Sequence, residues 1–249
     1  MNNRQQALLD LLEKKRAIKI KDVMTLMMYS ESTIRRDVRY LQEKVPIKIE
    51  NGTLILVPDD LVEIETSFKN VINYKEKKII SEYAIDFIED YASIYLDSSS
   101  TCTVFAMQFW RKSHLKVFTN NFLTATNVNS VQSNHQTYLL GGMFDKGICG
   151  GEFTLNNLKD IYVDVAFISC RGFHKETGIT EIIESEACIK KQLTTHADKI
   201  ILLLDDTKFN KRYTFKSLPF ENLAAVITNK RPNQDYIDFF EENDAELIF

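Results

Sequence analysis

Residues 30–41 read Ser-Glu-Ser-Thr-Ile-Arg-Arg-Asp-Val-Arg-Tyr-Leu. Ser30 is placed to cap a helix, since its hydroxyl can accept from an orphan amide of the first turn. Ile34, Val38 and Leu41 follow at spacings of four and three and so share one helical face. Ser32, Arg36 and Arg39 then lie nearly opposite, with Thr33, Arg35 and Tyr40 on the flanks. One side of this helix is built to pack. The other offers hydroxyl and guanidinium donors, which suit phosphates and guanine edges in the major groove of double-stranded DNA. Alone, the pattern also fits a solvated basic face on an ordinary surface helix.

The flanking residues decide between the two. Arg4 to Lys14 places Ala7, Leu8, Leu11 and Leu12 on a stripe, Ala17 to Ile20 alternates, and Asp22 to Met28 predicts a small helix with Val23, Leu26 and Met27 inward. The chain turns at Met28-Tyr29-Ser30, which is helix-turn-helix order. Ile47 to Ile49 and Thr53 to Val57 flank Asn51-Gly52, a strong hairpin signal. Three helices and a hairpin predict a winged helix-turn-helix over residues 1–57. That segment carries a formal charge of +4, whereas the remainder carries −8. A basic head on an acidic body suits a small DNA-reading domain joined to a larger one that does not bind nucleic acid.

Residues 58–74, opening on Pro58-Asp59-Asp60, mark a composition shift and are the candidate linker. From residue 75 to 249 helix and strand alternate. Helices are expected over Lys75–Asp90 (Ile79, Ile80, Tyr83, Ala84, Phe87 and Ile88 inward), Thr101–Trp110, Asn121–Val131, Phe153–Leu158, Glu184–Ala197 and Asn233–Glu242. Strands are expected over Ser93–Leu96, Leu115–Thr119, Thr137–Leu140, Val163–Ile168, Lys199–Leu204 and Ala224–Thr228. The fold class is therefore α/β: a mostly parallel sheet covered on both faces, behind the winged helix-turn-helix.

Ligands of such sheets sit outside the carboxyl ends of the strands. Four predicted strand ends there are polar or small: Asp97-Ser98-Ser99-Ser100-Thr101, Thr119-Asn120-Asn121, Gly141-Gly142 and Asp205-Asp206-Thr207-Lys208. Each alone fits a helix cap, a turn or a solvated charge. Together they point to a pocket for a small, phosphorylated, hydroxyl-rich ligand. Cys102, Cys149, Cys170 and Cys188 are far apart, as are His114, His135, His174 and His196, so neither a metal, a disulfide nor a cofactor is expected. No apolar run reaches the roughly 18 residues of a membrane span, and Met1-Asn2-Asn3-Arg4 does not read as a signal peptide. A cytoplasmic protein is expected.

Ser30 to Val38, with its Thr-Ile-Arg-Arg-Asp core, resembles the recognition-helix signature of the DeoR-type transcriptional regulators of sugar metabolism. The resemblance continues in order through Leu96-Asp97-Ser98 with Thr101, Thr119-Asn120, Leu140-Gly141-Gly142 and Asp164 to Ile168. It closes with Gly178-Ile179-Thr180, Glu186 with Lys190, Leu204-Asp205 with Lys208-Phe209, and Val226-Ile227-Thr228. It implies a C-terminal domain similar to the ribose-5-phosphate isomerase and CoA-transferase fold, and a regulator, usually a repressor, that binds operator DNA as a dimer or tetramer. Ser30, Ser32, Thr33, Arg35, Arg36 and Arg39 are the implied DNA contacts. Asp97, Ser98, Ser99, Ser100 and Thr101 form the implied phosphate loop, with Asn120, Gly141 and Gly142 nearby. Lys208 would pair with the phosphate or a sugar oxygen, and Glu186, Lys190 and Asp205 would line or brace the pocket. Two departures stand out: the wing offers Lys48 where the family usually has an arginine and a Gly-Gly pair, and Ser99 stands where it commonly has glycine. The rival class is a sugar-phosphate isomerase working through Asp97 or Asp164 and Lys208. An isomerase has no use for a helix-turn-helix.

Overall fold

The computed structural model describes residues 1–42, 45–57, 69, 72–131 and 134–249. They form two compact units, Met1–Asn73 and Tyr74–Phe249.

In the first unit, α1 (Asn3–Lys15) opens on a reciprocal capping box between Asn2 and Gln5. Strand β1 (Ala17–Lys19), α2 (Ile20–Met27) and α3 (Glu31–Gln42) follow, then the wing strands β2 (Ile47–Glu50) and β3 (Thr53–Leu56). β3 pairs antiparallel with both β1 and β2. Asn51 and Gly52, at φ of 48° and 73°, make the tight turn that two left-handed residues allow. Leu8, Leu9, Leu12, Ile34, Val38, Leu41 and Leu54 are all fully buried together. Two inward assignments change. Ala7 is exposed and Leu9 buried, because α1 packs against both α3 and the strands and its buried stripe is rotated accordingly. Leu26 is 58% exposed, because α2 starts at Ile20 and its inward stripe runs through Ile20, Val23 and Met27.

Of the candidate linker, residues 58–68, 70 and 71 lie outside the described residues. Its far end packs with the head: Ile72 joins the head core, and the Asn73 amide donates to Glu13 Oε1 at 3.0 Å.

In the second unit, α4 (Tyr74–Ala84) continues as a 3-10 turn over Ile85–Phe87 instead of running helical to Asp90. Its buried side holds Lys77, Ile80, Ser81 and Ala84, while Ile79 and Tyr83 are 42% and 40% exposed. Two apolar stripes lie side by side on this helix, and only the one that also carries Lys77 faces the core. Strand β4 (Ser93–Leu96) leads to α5 (Ser100–Phe105), which tightens to 3-10 geometry over Ala106–Arg111. Then come β5 (Lys116–Thr119), α6 (Phe122–Ser130), β6 (Gln136–Leu139), the hairpin β7 (Met143–Asp145) and β8 (Ile148–Gly150), and α7 (Glu152–Leu158). β9 (Val163–Ile168), β10 (Gly172–His174), β11 (Gly178–Glu181) and α8 (Glu184–Leu193) lead to β12 (Ala197–Leu204). The chain closes with β13 (Phe215–Lys216), β14 (Ala225–Thr228), α9 (Gln234–Glu242) and β15 (Glu246–Ile248).

The main sheet has the order β15-β14-β12-β9-β4-β5-β6, and every pair in it is parallel. Its strands alternate between two cores, as a two-sided sheet requires. Tyr95, Ala166, Ile168, Leu202 and Val226 face one, and Ile94, Leu96, Val165, Phe167, Leu203 and Ile227 the other. A small antiparallel sheet, β10-β11-β13, was not legible in the sequence because its strands are two to four residues long.

Candidate functional site

The candidate DNA-contact residues of the head lie on α3 and at its cap. Ser30 Oγ lies 3.4 Å from the Thr33 amide as its cap, and within 3.0 Å of the Ser32 and Thr33 hydroxyls. Burial of Ile34, Val38 and Leu41 turns the opposite side outward, where Ser32, Thr33, Arg35, Arg36 and Arg39 line one shallow concavity. Arg36 and Arg39 are exposed. Arg35 Nε donates to Glu31 Oε1 at 2.8 Å across one helical turn, so this guanidinium is already oriented. Lys48 is exposed on the wing.

Asp37, within the same motif, points the other way. It is 1% exposed, and Arg4 of α1 grips both its oxygens, with Gln5 adding a bond at 3.4 Å. The Arg4 hydrogen bonds hold the Asp37 carboxyl below its ordinary value against the cost of burial. Arg4 also lies 5.1 Å from the Tyr29 ring centroid. The pair ties the reading helix to α1 and was not anticipated from the sequence, because Arg4 and Asp37 are 33 positions apart.

In the body, strand order reverses at β4: β5 and β6 extend to one side, and β9, β12, β14 and β15 to the other. The crevice at the carboxyl ends of strands flanking such a reversal is where open parallel sheets bind ligands. Asp97, 1% exposed, follows the carboxyl end of β4. Its Oδ2 accepts from the Ser169 amide beyond β9 at 2.8 Å, and its Oδ1 from the Ser99 amide at 2.9 Å. Lys190 of α8 stands 3.3 Å from Asp97 Oδ2 and donates to Glu181 Oε1 at the end of β11. The Ser98 hydroxyl donates to Glu186 Oε1 at 3.2 Å. Three carboxylates therefore surround one ammonium. Burial pushes Glu181 up to about 7 against the pull of Lys190. Burial works against the Lys190 charge, yet Glu181, Asp97 and Glu186 outweigh it and raise the ammonium above its usual value.

A second group sits at the end of β12. Asp205 is 1% exposed and accepts from the Thr207 amide at 3.0 Å and from its hydroxyl. Burial would raise this carboxyl, but Lys208, Thr207 and Lys77 of α4 together hold it below its ordinary value. Cys170, just beyond β9, lies in the field of both groups, feeling Glu181 and Lys190 from one and Lys208 and Asp205 from the other. Burial raises the thiols of Cys102, Cys149 and Cys170 alike, so all three stay protonated near neutral pH.

The remaining residues of the set are placed as follows. Ser99 has extended backbone geometry, and its hydroxyl caps α5 by accepting from the Cys102 amide at 3.2 Å, so a side chain is accommodated where the family commonly has glycine. Ser100 and Thr101 open that helix, with Thr101 buried. Asn120 accepts from the Tyr95 hydroxyl at 3.0 Å and donates to the Cys149 carbonyl at 2.8 Å. Asn121 caps α6 and donates to the Ser98 carbonyl at 2.9 Å, fixing the loop. A Cβ on Gly142 would lie 2.1 Å from Thr154 Oγ1 and 2.6 Å from the Gly150 carbonyl, so its missing side chain serves the packing of α7 and β8. Asp164 lies at the amino end of β9, bonded to the Ser93 amide and hydroxyl at 2.7 Å each, on the opposite edge of the sheet from the crevice. It is no partner for Asp97 or Lys208. Among the described residues no group of three or more His, Cys, Asp or Glu is placed to hold a metal ion, and no helix is long and apolar enough to cross a membrane.

Residues 4–57 match the DeoR-like helix-turn-helix domain and residues 72–230 the DeoR C terminal sensor domain. The chain is 31% identical to an uncharacterized HTH-type transcriptional regulator of Haemophilus influenzae, over 91% of this chain and 89% of that one. It is 29% identical to the HTH-type transcriptional regulator GolR of Listeria innocua (96% and 94% covered) and 28% identical to the HTH-type transcriptional repressor GlcR of Bacillus subtilis (97% and 93%). Among solved structures, a D-ribose-5-phosphate isomerase bound to phospho-erythronic acid shares 17% identity over 55% of this chain and 54% of that one, with a TM-score of 0.41. A DNA-reading helix-turn-helix, a sensor domain and regulators as relatives leave one conclusion: the chain belongs to the DeoR family of transcriptional regulators.

Proposed function

We propose that this regulator represses a sugar-utilisation operon from the cytoplasm, as a homo-oligomer, with its operator affinity set by a phosphorylated sugar held at the carboxyl ends of β4, β9 and β12. The observation that carries this reading is the Asp97–Lys190–Glu181 cluster at the strand-order reversal. Buried ionic groups of this kind carry a desolvation cost and cluster at functional sites. Lys190 is committed to two carboxylates and braces the floor. Glu186 and Asp205, with the hydroxyls of Ser98, Ser100 and Thr101, are the groups that can exchange hydrogen bonds with a polyol. Lys208, half-buried beside Asp205, supplies the positive charge for a phosphate.

A ligand alters operator affinity only by binding the DNA-bound and DNA-free arrangements unequally, and a tenfold effect needs about 1.4 kcal/mol of difference. The test is thermal unfolding of the purified chain against a panel of sugar phosphates and their unphosphorylated counterparts. A ligand specific for the native state at a hundredfold excess over Kd adds about 2.7 kcal/mol. The reading expects phosphorylated members to raise Tm and their neutral counterparts to do so weakly. A panel without any shift would count against it.

A further inference from the structure

Residues 117–144 contain no Asp, Glu, Lys or Arg, 28 positions in a chain that is 27% charged. The stretch supplies β5 after its first residue, Lys116, and all of α6 and β6, the flank of the main sheet that ends on β6. Among the described residues no strand pairs with the outer edge of β6. Beside that edge, Tyr138, Leu139, Met143, Phe144 and Phe122 are 45%, 41%, 71%, 60% and 54% exposed. Tyr138 and Leu139 point to opposite faces of β6; the Phe122 and Phe144 rings meet edge-on at 6.4 Å, and the Phe122 amide donates to the Gly147 carbonyl at 2.9 Å, seating the β7–β8 hairpin on α6. Of the devices that keep free strands apart this edge has shortness, four residues, but neither lysine, proline nor an inward charge. The opposite edge strand, β15, carries Glu246.

We infer that this uncharged flank is where two copies of the chain join, β6 meeting β6 across a two-fold axis. Two observations select a second copy as the occupant. A two-fold contact sets the residues nearest its axis against their own duplicates, so charged residues at its centre would face their like. Outside the head the chain carries a formal −8, and two such bodies repel except where neither bears charge. The second is the strand edge itself, whose free amides and carbonyls are complementary to an identical antiparallel edge. The result is one continuous sheet through both bodies, with an apolar seam on its flank and two heads available for two half-sites, as helix-turn-helix readers use.

The experiment is sedimentation velocity on the full chain at micromolar concentrations, without DNA or effector, so its failure leaves the sugar-phosphate reading untouched. Leu139→Glu is compared with Ile79→Glu, which places the same charge on an exposed apolar position of α4. The inference expects wild type and Ile79→Glu to sediment as the same oligomer and Leu139→Glu to dissociate, with at least a tenfold weaker association. Hydrogen exchange of wild type guards against a variant that fails to fold: the amides of Thr137 and Leu139, which alternate with the Gln136 and Leu140 amides bonded inward to β5, should lose protection on dilution through the association range. A wild type that stays monomeric, a Leu139→Glu oligomer indistinguishable from wild type, or protection at 137 and 139 independent of concentration would each overturn it.

Discussion

Asp37 and Arg4 are joined by two hydrogen bonds across 33 positions of sequence, with the carboxylate 1% exposed. The recognition helix is thus held from behind by an ion pair that takes no part in its outward face. Asp37→Ala should destabilise the head by about 2 kcal/mol, the typical worth of hydrogen bonds to a charged group, measured by urea unfolding. Because the folded-state carboxyl titrates below its unfolded value, the pair's contribution is complete above the unfolded pKa of about 4 and is lost as pH falls through and below it. Unchanged stability in Asp37→Ala at pH 7 would refute this.

Arg35 is oriented by Glu31, whereas Arg36 and Arg39 are exposed. Arg36→Ala should weaken operator binding by about 1–3 kcal/mol if it reads a base, with relaxed sequence preference. Glu31→Ala should strengthen binding to any duplex and steepen the salt dependence by about one counterion, because it removes an anion from the DNA-facing side and frees a cation. Anisotropy titrations at several salt concentrations separate these outcomes. A Glu31→Ala slope equal to wild type would place Arg35 outside the DNA contacts.

Met28 adopts φ 59° and ψ 40° at the end of α2 and is 89% exposed. Left-handed geometry costs an L-residue about 1–2 kcal/mol, and glycine escapes it while losing more entropy on folding. Met28→Gly should therefore raise head stability by about 0.5–1 kcal/mol. A lower denaturation midpoint in this variant would be the contrary result.

Glu181 is raised by burial to about 7 in the folded chain. The native state then holds a proton that the unfolded state has released between about pH 4.5 and 7, so stability falls as pH rises through that window. Glu181→Gln keeps an acceptor for Lys190 and removes the titration, and should flatten this part of the stability–pH curve. Thermal unfolding across pH 5 to 8 tests it; an unaltered slope would show that Glu181 is ionised throughout.

The head was legible in the sequence because its rules are local. Helical spacing of Ile34, Val38 and Leu41, the Ser30 cap and the Asn51-Gly52 turn each act within a few residues, and all appear in the structure. The parallel strands were legible for the same reason, as short apolar runs between amphipathic helices. Long-range pairing was not. Glu181 lies one residue past Gly178-Ile179-Thr180, yet its link to Lys190 depends on β11 packing beside α8. Lys77 reads as one more surface lysine on an amphipathic helix until Asp205, 128 positions later, gives its charge a reason to face inward. Ile79 and Tyr83 were misassigned because two apolar stripes on α4 are equally regular, and only tertiary packing chooses between them.

The central claim, that a ligand in the body sets DNA affinity in the head, is tested most directly by one titration. A duplex selected in vitro for binding is titrated by fluorescence anisotropy at fixed salt, with and without saturating sugar phosphate, using wild type and Lys208→Ala. The account predicts at least a tenfold shift in operator Kd for wild type, about 1.4 kcal/mol or more, and no shift for Lys208→Ala, which should bind the free duplex normally. Equal wild-type affinities with and without every sugar phosphate that stabilises the protein, or an undiminished shift in Lys208→Ala, would contradict it.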